Sequence, residues 1–224
     1  MSSVAVVCHD AGGAEILSSW LLRSNDLCFV VGWGPAVSIF DRKCPDAERL
    51  SLAEAINKAD WVLCGTGGSG LELQAIKLGR EQGKRTVAFL DHWVNYKDRF
   101  QNDDGSSSFP DEIWVGDKDA LSIAKKDFLN IPVILHTNPY FEDLYNTISQ
   151  TRPRKSRTKK MSILYVCDPI HDFQLKDWGY SEESALKYFF KNFLCLNLEI
   201  EFVKIRPHPS ENPDKYLWAK ALAP

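Results

Sequence analysis

Six short apolar runs punctuate the first 136 residues: VAVVC (4–8), LCFVVG (27–32), WVLCG (61–65), TVAFL (86–90), EIWVG (112–116) and PVILH (132–136). Each has the length of a strand, is bounded by polar turn residues and gives way to a helical pattern. Runs that are apolar throughout belong to strands covered on both faces, and strands separated by helices pair in parallel. The chain is therefore expected to be α/β, with a Rossmann-like parallel sheet and helices on both faces. Two helix starts are explicit. Ser51 with Glu54 forms a capping box before LAEAINKA, and Asp117 is placed to cap the segment 118–128.

The polar–apolar balance, 44% hydrophobic and 25% charged, is that of a soluble globular protein, and a net charge of −3 carries no nucleic-acid signature. The N-terminal MSSVAVVCHD has no basic region, and His9 and Asp10 break its apolar run, so it reads as neither signal peptide nor membrane span. Six cysteines include no C-x-x-C pair and no grouping with the five histidines, so no metal site is expected. Reduced thiols in a cytoplasmic protein are the simplest reading.

Residues 151–160, TRPRKSRTKK, carry six basic side chains and divide the chain. The reading is a Rossmann-like domain at 1–150, a basic linker at 151–160 and a second segment at 161–224. There the pattern restarts with MSILYVC (161–167), SEESALKYFFKNFLCLN (181–197), EIEFVKIR (199–206) and a helical stretch from about 212. The linker has the charge for peripheral contact with anionic lipid, although without interleaved aromatics a solvated hinge is favoured.

Three motifs carry candidate chemistry. Gly65-x-Gly67-x-x-Gly70, with Gly68 inside it, lies between a strand and a helix, and Asp91 follows about 20 positions on, as in a dinucleotide fingerprint. An NAD- or FAD-dependent oxidoreductase using Gly65, Gly67, Gly70 and Asp91 is one reading. Against it, about 60 residues precede a fingerprint that normally occupies the first βα turn. A glycine turn serves equally to hold an anion or a sugar hydroxyl, or only to let elements pack. Gly12 and Gly13 make a second glycine turn after His9 and Asp10. In a parallel sheet His9, Asp10, both turns, Asp91 and His92 emerge at one edge, where a carboxylate or imidazole suits general-base chemistry. The alternative is that Asp10 caps the next helix and His9 bonds locally. Asp91 also opens DHWVNYKDRF (91–100), which is expected to line the cleft with His92, Asn95 and Arg99 and to stack Trp93 and Tyr96 on a sugar face. The third motif, KIRPHPSE (204–211), gathers Arg206, His208 and Ser210 around what suits a phosphate oxygen; an incidental surface turn is the alternative.

In order, HDAGGAE, GTGGSGLELQAIKLG, FLDHWVNYKDRF, PDEIWVGD, TNPYFEDL and IRPHPSE resemble glycosyltransferases and relatives of the GT-B fold from bacterial surface-polysaccharide pathways. The likeness covers most of the chain, strongest over 60–144 and weakest over 168–198. It implies two Rossmann-like domains, the first holding the acceptor and the second a nucleotide-sugar donor. In such enzymes, bacterial sialyltransferases among them, the His-Pro motif contacts the donor phosphate. By that likeness His208 stabilises the leaving nucleotide, Asp10 or Asp91 deprotonates an acceptor hydroxyl on a glycan or lipid carrier, and neither a metal nor a bound cofactor takes part. A full donor domain of this kind continues for several βα units past the His-Pro turn, so 161–224 is expected to be a partial one, with strand faces left uncovered and weak transfer by this chain alone. A non-catalytic sugar- or nucleotide-binding fragment is the third reading.

Overall fold

All six apolar runs are strands. In the computed structural model, which describes residues 2–151, 160–170, 179–196, 199–208 and 211–222, the chain forms two units, Met1–Arg152 and Pro153–Pro224. Unit 1 runs β1 (Ser3–Cys8), α1 (Ala11–Leu21), β2 (Leu27–Gly32), α2 (Pro35–Lys43), β3 (Glu48–Arg49), α3 (Leu52–Lys58), β4 (Trp61–Cys64), α4 (Leu71–Glu81), β5 (Arg85–Leu90), β6 (Glu112–Val115), α5 (Lys118–Asp127), β7 (Val133–Leu135) and α6 (Pro139–Gln150). Its seven strands form one sheet in the order β3-β2-β1-β4-β5-β6-β7, parallel at every pairing. The architecture is Rossmann-like α/β. The two-residue β3 has no apolar signal, because Glu48 and Arg49 are both exposed at the sheet edge.

Both faces of the sheet are covered, as uninterrupted apolar strands require. Along β1, Ala5 and Val7 join a core with Ile56 of α3, Ile76 of α4 and Ala124 of α5. Val4, Val6 and Cys8 join the opposite core with Leu17 of α1 and Phe40 of α2. Caps fix where the helices begin. Ser51 and Glu54 make the reciprocal capping box of α3, Asp117 accepts from the Ala120 N–H at 2.8 Å to start α5, and Asn138 accepts from Tyr140 and Phe141 to start α6.

Unit 2 is a βαβ unit: β8 (Met161–Val166), α7 (Glu182–Asn192) and β9 (Ile200–Arg206), with 3₁₀ turns at Phe193–Leu196 and Pro213–Leu222. β8 and β9 pair in parallel. The closing segment, expected to be helical, is 3₁₀. Its core is small, Cys167, Leu186, Tyr216 and Ala219 being buried together, while Met161, Leu164, Val166 and Phe202 on the strands are exposed. Most of the basic run, 152–159, lies outside the described residues, and with it both the hinge and the lipid-contact readings. Among the described residues no helix is long and apolar enough to cross a membrane.

Candidate functional site

From β1 the chain builds outward through β2 and β3, then returns to build β4 to β7 on the other side. Loops leaving β1 and β4 therefore diverge, and open α/β sheets place ligands in the crevice this creates at the strands' C-terminal ends. Both glycine turns open there. A Cβ on Gly13 would stand 2.9 Å from Cys8 Sγ and 3.6 Å from the Gly65 Cα, so the turns approach each other at glycine distance. A Cβ on Gly67 would stand 2.8 Å from Glu72 Oε1 and 3.1 Å from Asp10 Oδ1. Gly68 has open space around it, and Gly70 takes φ +79° to enter α4.

Asp91, at the end of β5, reaches into the same crevice. Its Oδ2 is 2.7 Å from where a Cβ on Gly12 would be, in the first turn of α1. Its Oδ1 accepts from Arg99 Nη1 at 3.2 Å and Thr66 Oγ1 at 3.4 Å. Arg99 also donates to the Thr66 carbonyl at 2.9 Å, tying the 91–100 loop to the second glycine turn. His92 is largely exposed, with Nε2 3.9 Å from Asp91 Oδ2.

Asp10 occupies the N-cap position of α1 without capping it. Its Oδ1 instead lies 2.6 Å from His9 Nδ1, which makes an imidazole–carboxylate pair facing the crevice. The His9 N–H donates to Glu72 Oε1 at 2.8 Å. Glu72 is 2% exposed, and its Oε2 is buried with no hydrogen-bond partner among the described residues. Burial pushes its carboxyl above the usual range, outweighing the His9 N–H bond, and the nearby Asp10 charge adds to the rise. Sequence reading passed over Glu72 because an acidic residue in the first turn of a helix ordinarily faces solvent and complements the dipole.

Two aromatics flank the crevice. Trp33, just past β2, is 62% exposed and meets the His9 ring edge-to-face at 6.3 Å; its place in VVGWGP, between glycines at a strand end, is the sequence signal for it. Trp93, past β5, is partly exposed and is held by a 2.9 Å bond from its indole N–H to Asp117 Oδ2. Tyr96 corrects the expectation of a stacking platform. It is 1% exposed, lies face-on to Phe128 at 6.4 Å, and burial pushes its phenol up to about 12. In DHWVNYKDRF it is the apolar anchor that pins the loop. Asn95 beside it is exposed and adopts φ +56°.

In unit 2, exposed Arg206 closes β9, and the His208 N–H donates to Glu211 Oε2 at 3.0 Å. Glu211, its side chain 1% exposed, also accepts from Lys215 Nζ at 2.6 Å and Tyr216 Oη at 2.9 Å, and Lys215 pairs in turn with Glu182. Glu211 thus braces the His-Pro turn. Ser210 lies outside the described residues.

Cys8 and Cys64 are buried, which raises their thiols well above the ordinary range and keeps them neutral. Among the described residues no group of three or more His, Cys, Asp or Glu is placed to hold a metal ion. A separate open depression of about 520 Å³ is lined by Gly116, Asn138, Phe141 and Tyr145. Two of its polar groups are engaged, Asn138 in capping α6 and Glu142 with Arg23 at 3.8 Å, and the switch-point crevice, where the carboxylates and imidazole gather, is the better candidate.

No known protein family matches the chain, and no curated protein matches it. A solved structure described as "Structure of MT0777" aligns with 68% of this chain and 100% of its own, at 12% identity and a TM-score of 0.36. At that score the likeness bears on neither fold nor function.

Proposed function

We propose that the protein is a glycosyltransferase of GT-B type or a close relative of one. In this reading unit 1 holds a glycan or lipid-linked acceptor at the switch point, and the His-Pro turn of unit 2 holds the phosphate of a nucleotide sugar. The carboxylate packing of the glycine turns is the observation that carries it. Free N–H groups at a glycine turn recruit anions, but here Asp91 stands at the first turn of α1, and Glu72 and Asp10 crowd Gly67. A pyrophosphate at Gly67 would meet Glu72 and Asp10, whereas sugar hydroxyls donate to such groups. This weighs against the NAD or FAD alternative. It also favours Asp10 over Asp91 as base, since Asp91 is paired with Arg99.

In the proposed reaction Asp10, oriented by His9, takes the acceptor hydroxyl proton as that oxygen attacks the anomeric carbon. The bond from this carbon to the donor phosphate oxygen breaks, and its electron pair leaves with the nucleotide. Arg206 and His208 stabilise the charge that gathers there, without a metal or bound cofactor. Trp33 and Trp93 offer faces for the apolar side of a sugar ring. Such a protein would work in the cytoplasm on nucleotide sugars rather than nucleic acid.

Thermal melting against nucleotide sugars, free nucleotides, NAD, NADP and FAD tests the reading, because a ligand of the native state raises its apparent stability. Stabilisation by one nucleotide family, lost in His208→Ala, is expected. Saturable binding of NAD or FAD that Asp91→Ala weakens would overturn it.

A further inference from the structure

We infer that Glu72 is a positioning residue for the His9–Asp10 pair, holding the turn after β1 from the first turn of α4 across the switch point. The inference rests on the proposal that Asp10 is the base. His9 is the first residue past β1, and its N–H donates to Glu72 Oε1 at 2.8 Å. Glu72 reaches it because Gly67 lacks a side chain: the point where a Cβ would sit is 2.8 Å from Glu72 Oε1 and 3.1 Å from Asp10 Oδ1. Asp10 Oδ1 is in turn 2.6 Å from His9 Nδ1. The Glu72 and Asp10 carboxyls therefore both border the empty position at Gly67, and each also bonds His9, one at its backbone N–H and the other at its ring.

This arrangement has a chemical logic. Two carboxylates around one point repel unless one is neutral, and a buried acid without full hydrogen bonding favours its protonated form. Burial raises the Glu72 carboxyl in that sense. Glu72 accepts the His9 N–H through Oε1, so it sets the path of His9 and hence the aim of Asp10.

Three variants of the full chain separate this role from simple packing. Glu72→Gln keeps an acceptor of the same length. Glu72→Leu fills the space without an acceptor, and Gly67→Ala leaves Glu72 intact but drives a methyl into it. Amide hydrogen exchange at His9, read by NMR without ligand, is expected to be slow in wild type and Glu72→Gln. It should be faster by about tenfold or more in Glu72→Leu and Gly67→Ala. Unchanged His9 exchange in those two variants would overturn the inference. Nucleotide release from UDP-N-acetylglucosamine, GDP-mannose and CMP-sialic acid, with chitobiose as acceptor, gives the second readout. Where wild type turns over, kcat should fall about tenfold or more in Glu72→Leu and Gly67→Ala with KM within about twofold, and Glu72→Gln should recover it. Wild-type kcat in both defective variants would sink the positioning role. If wild type releases no nucleotide from any donor, the glycosyltransferase reading loses its support while His9 exchange still decides what Glu72 does. Should Glu72→Leu not fold, Gly67→Ala and Glu72→Gln carry the comparison.

Discussion

Gly12 and Gly68 sit in the two turns of one crevice under different constraints. A methyl on Gly12 would meet Asp91 Oδ2 at 2.7 Å, while one on Gly68 would meet nothing within 4 Å. Asp91 cannot yield easily, being held by Arg99 and Thr66. Gly12→Ala is therefore expected to destabilise unit 1 by about 1–3 kcal/mol, the range for forcing extra atoms into a packed site. Gly68→Ala should fall within about 0.5 kcal/mol of wild type, as surface substitutions do. Urea unfolding of the two variants checks the contrast, and equal losses would mean that Asp91 does not pack against α1. The sequence marks both positions as glycine in a turn but cannot say which one faces a carboxylate 79 residues on, because that neighbour is supplied by β5.

Asp117 links two elements. One oxygen caps α5 through the Ala120 N–H at 2.8 Å, and the other accepts from the Trp93 indole at 2.9 Å, so the start of one helix fixes a side chain of the preceding loop. Asp117→Ala is expected to lower stability by about 0.5–2 kcal/mol, the cost of losing a cap. It should also release Trp93, whose indole N–H resonance ought to move toward the position of a solvent-exposed tryptophan. A stability loss with that resonance unmoved would show that capping alone links Asp117 to the fold. The cap was readable from Asp117 standing before a helical pattern; the indole bond was not, since it depends on β5 and β6 being neighbours.

At the scale of the whole molecule the units rest on different physics. Unit 1 has an apolar core on each face of a seven-stranded sheet. Unit 2 has, among the described residues, a cluster of four buried hydrophobic residues and, beside it, the Glu211 network. Burial by itself would raise the Glu211 carboxyl, but the bonds from Lys215, the His208 N–H and Tyr216 prevail and hold it below the usual range. The folded unit thus binds this proton less readily than the unfolded chain does. The stability from Glu211 is complete above the unfolded value, about 4.3, and is lost as pH falls through the lower folded one. Hydrogen exchange with mass spectrometry across that range should show β8, β9 and Pro213–Leu222 losing protection in wild type. Glu211→Gln should be less protected at neutral pH and change less on acidification. Parallel acid profiles for the two would show that Glu211 does not hold unit 2 together.

Local chemistry determined the apolar strands, the caps at Ser51 and Asp117 and the α/β class, because uninterrupted apolar runs and capping residues act on near neighbours in the chain. It also put His9, Asp10, both glycine turns and Asp91 on one edge, which follows once the strands are parallel. Which strand neighbours which was decided only in three dimensions. The reversal between β1 and β4 is a property of the sheet order, and no residue announces it. It is this reversal that buries Glu72 under Gly67, turns Asp91 onto α1 and leaves Trp33 exposed beside His9, while packing on Phe128 takes Tyr96 out of the crevice and into the core. Contacts between residues distant in sequence set burial, and burial sets which polar groups keep their charge.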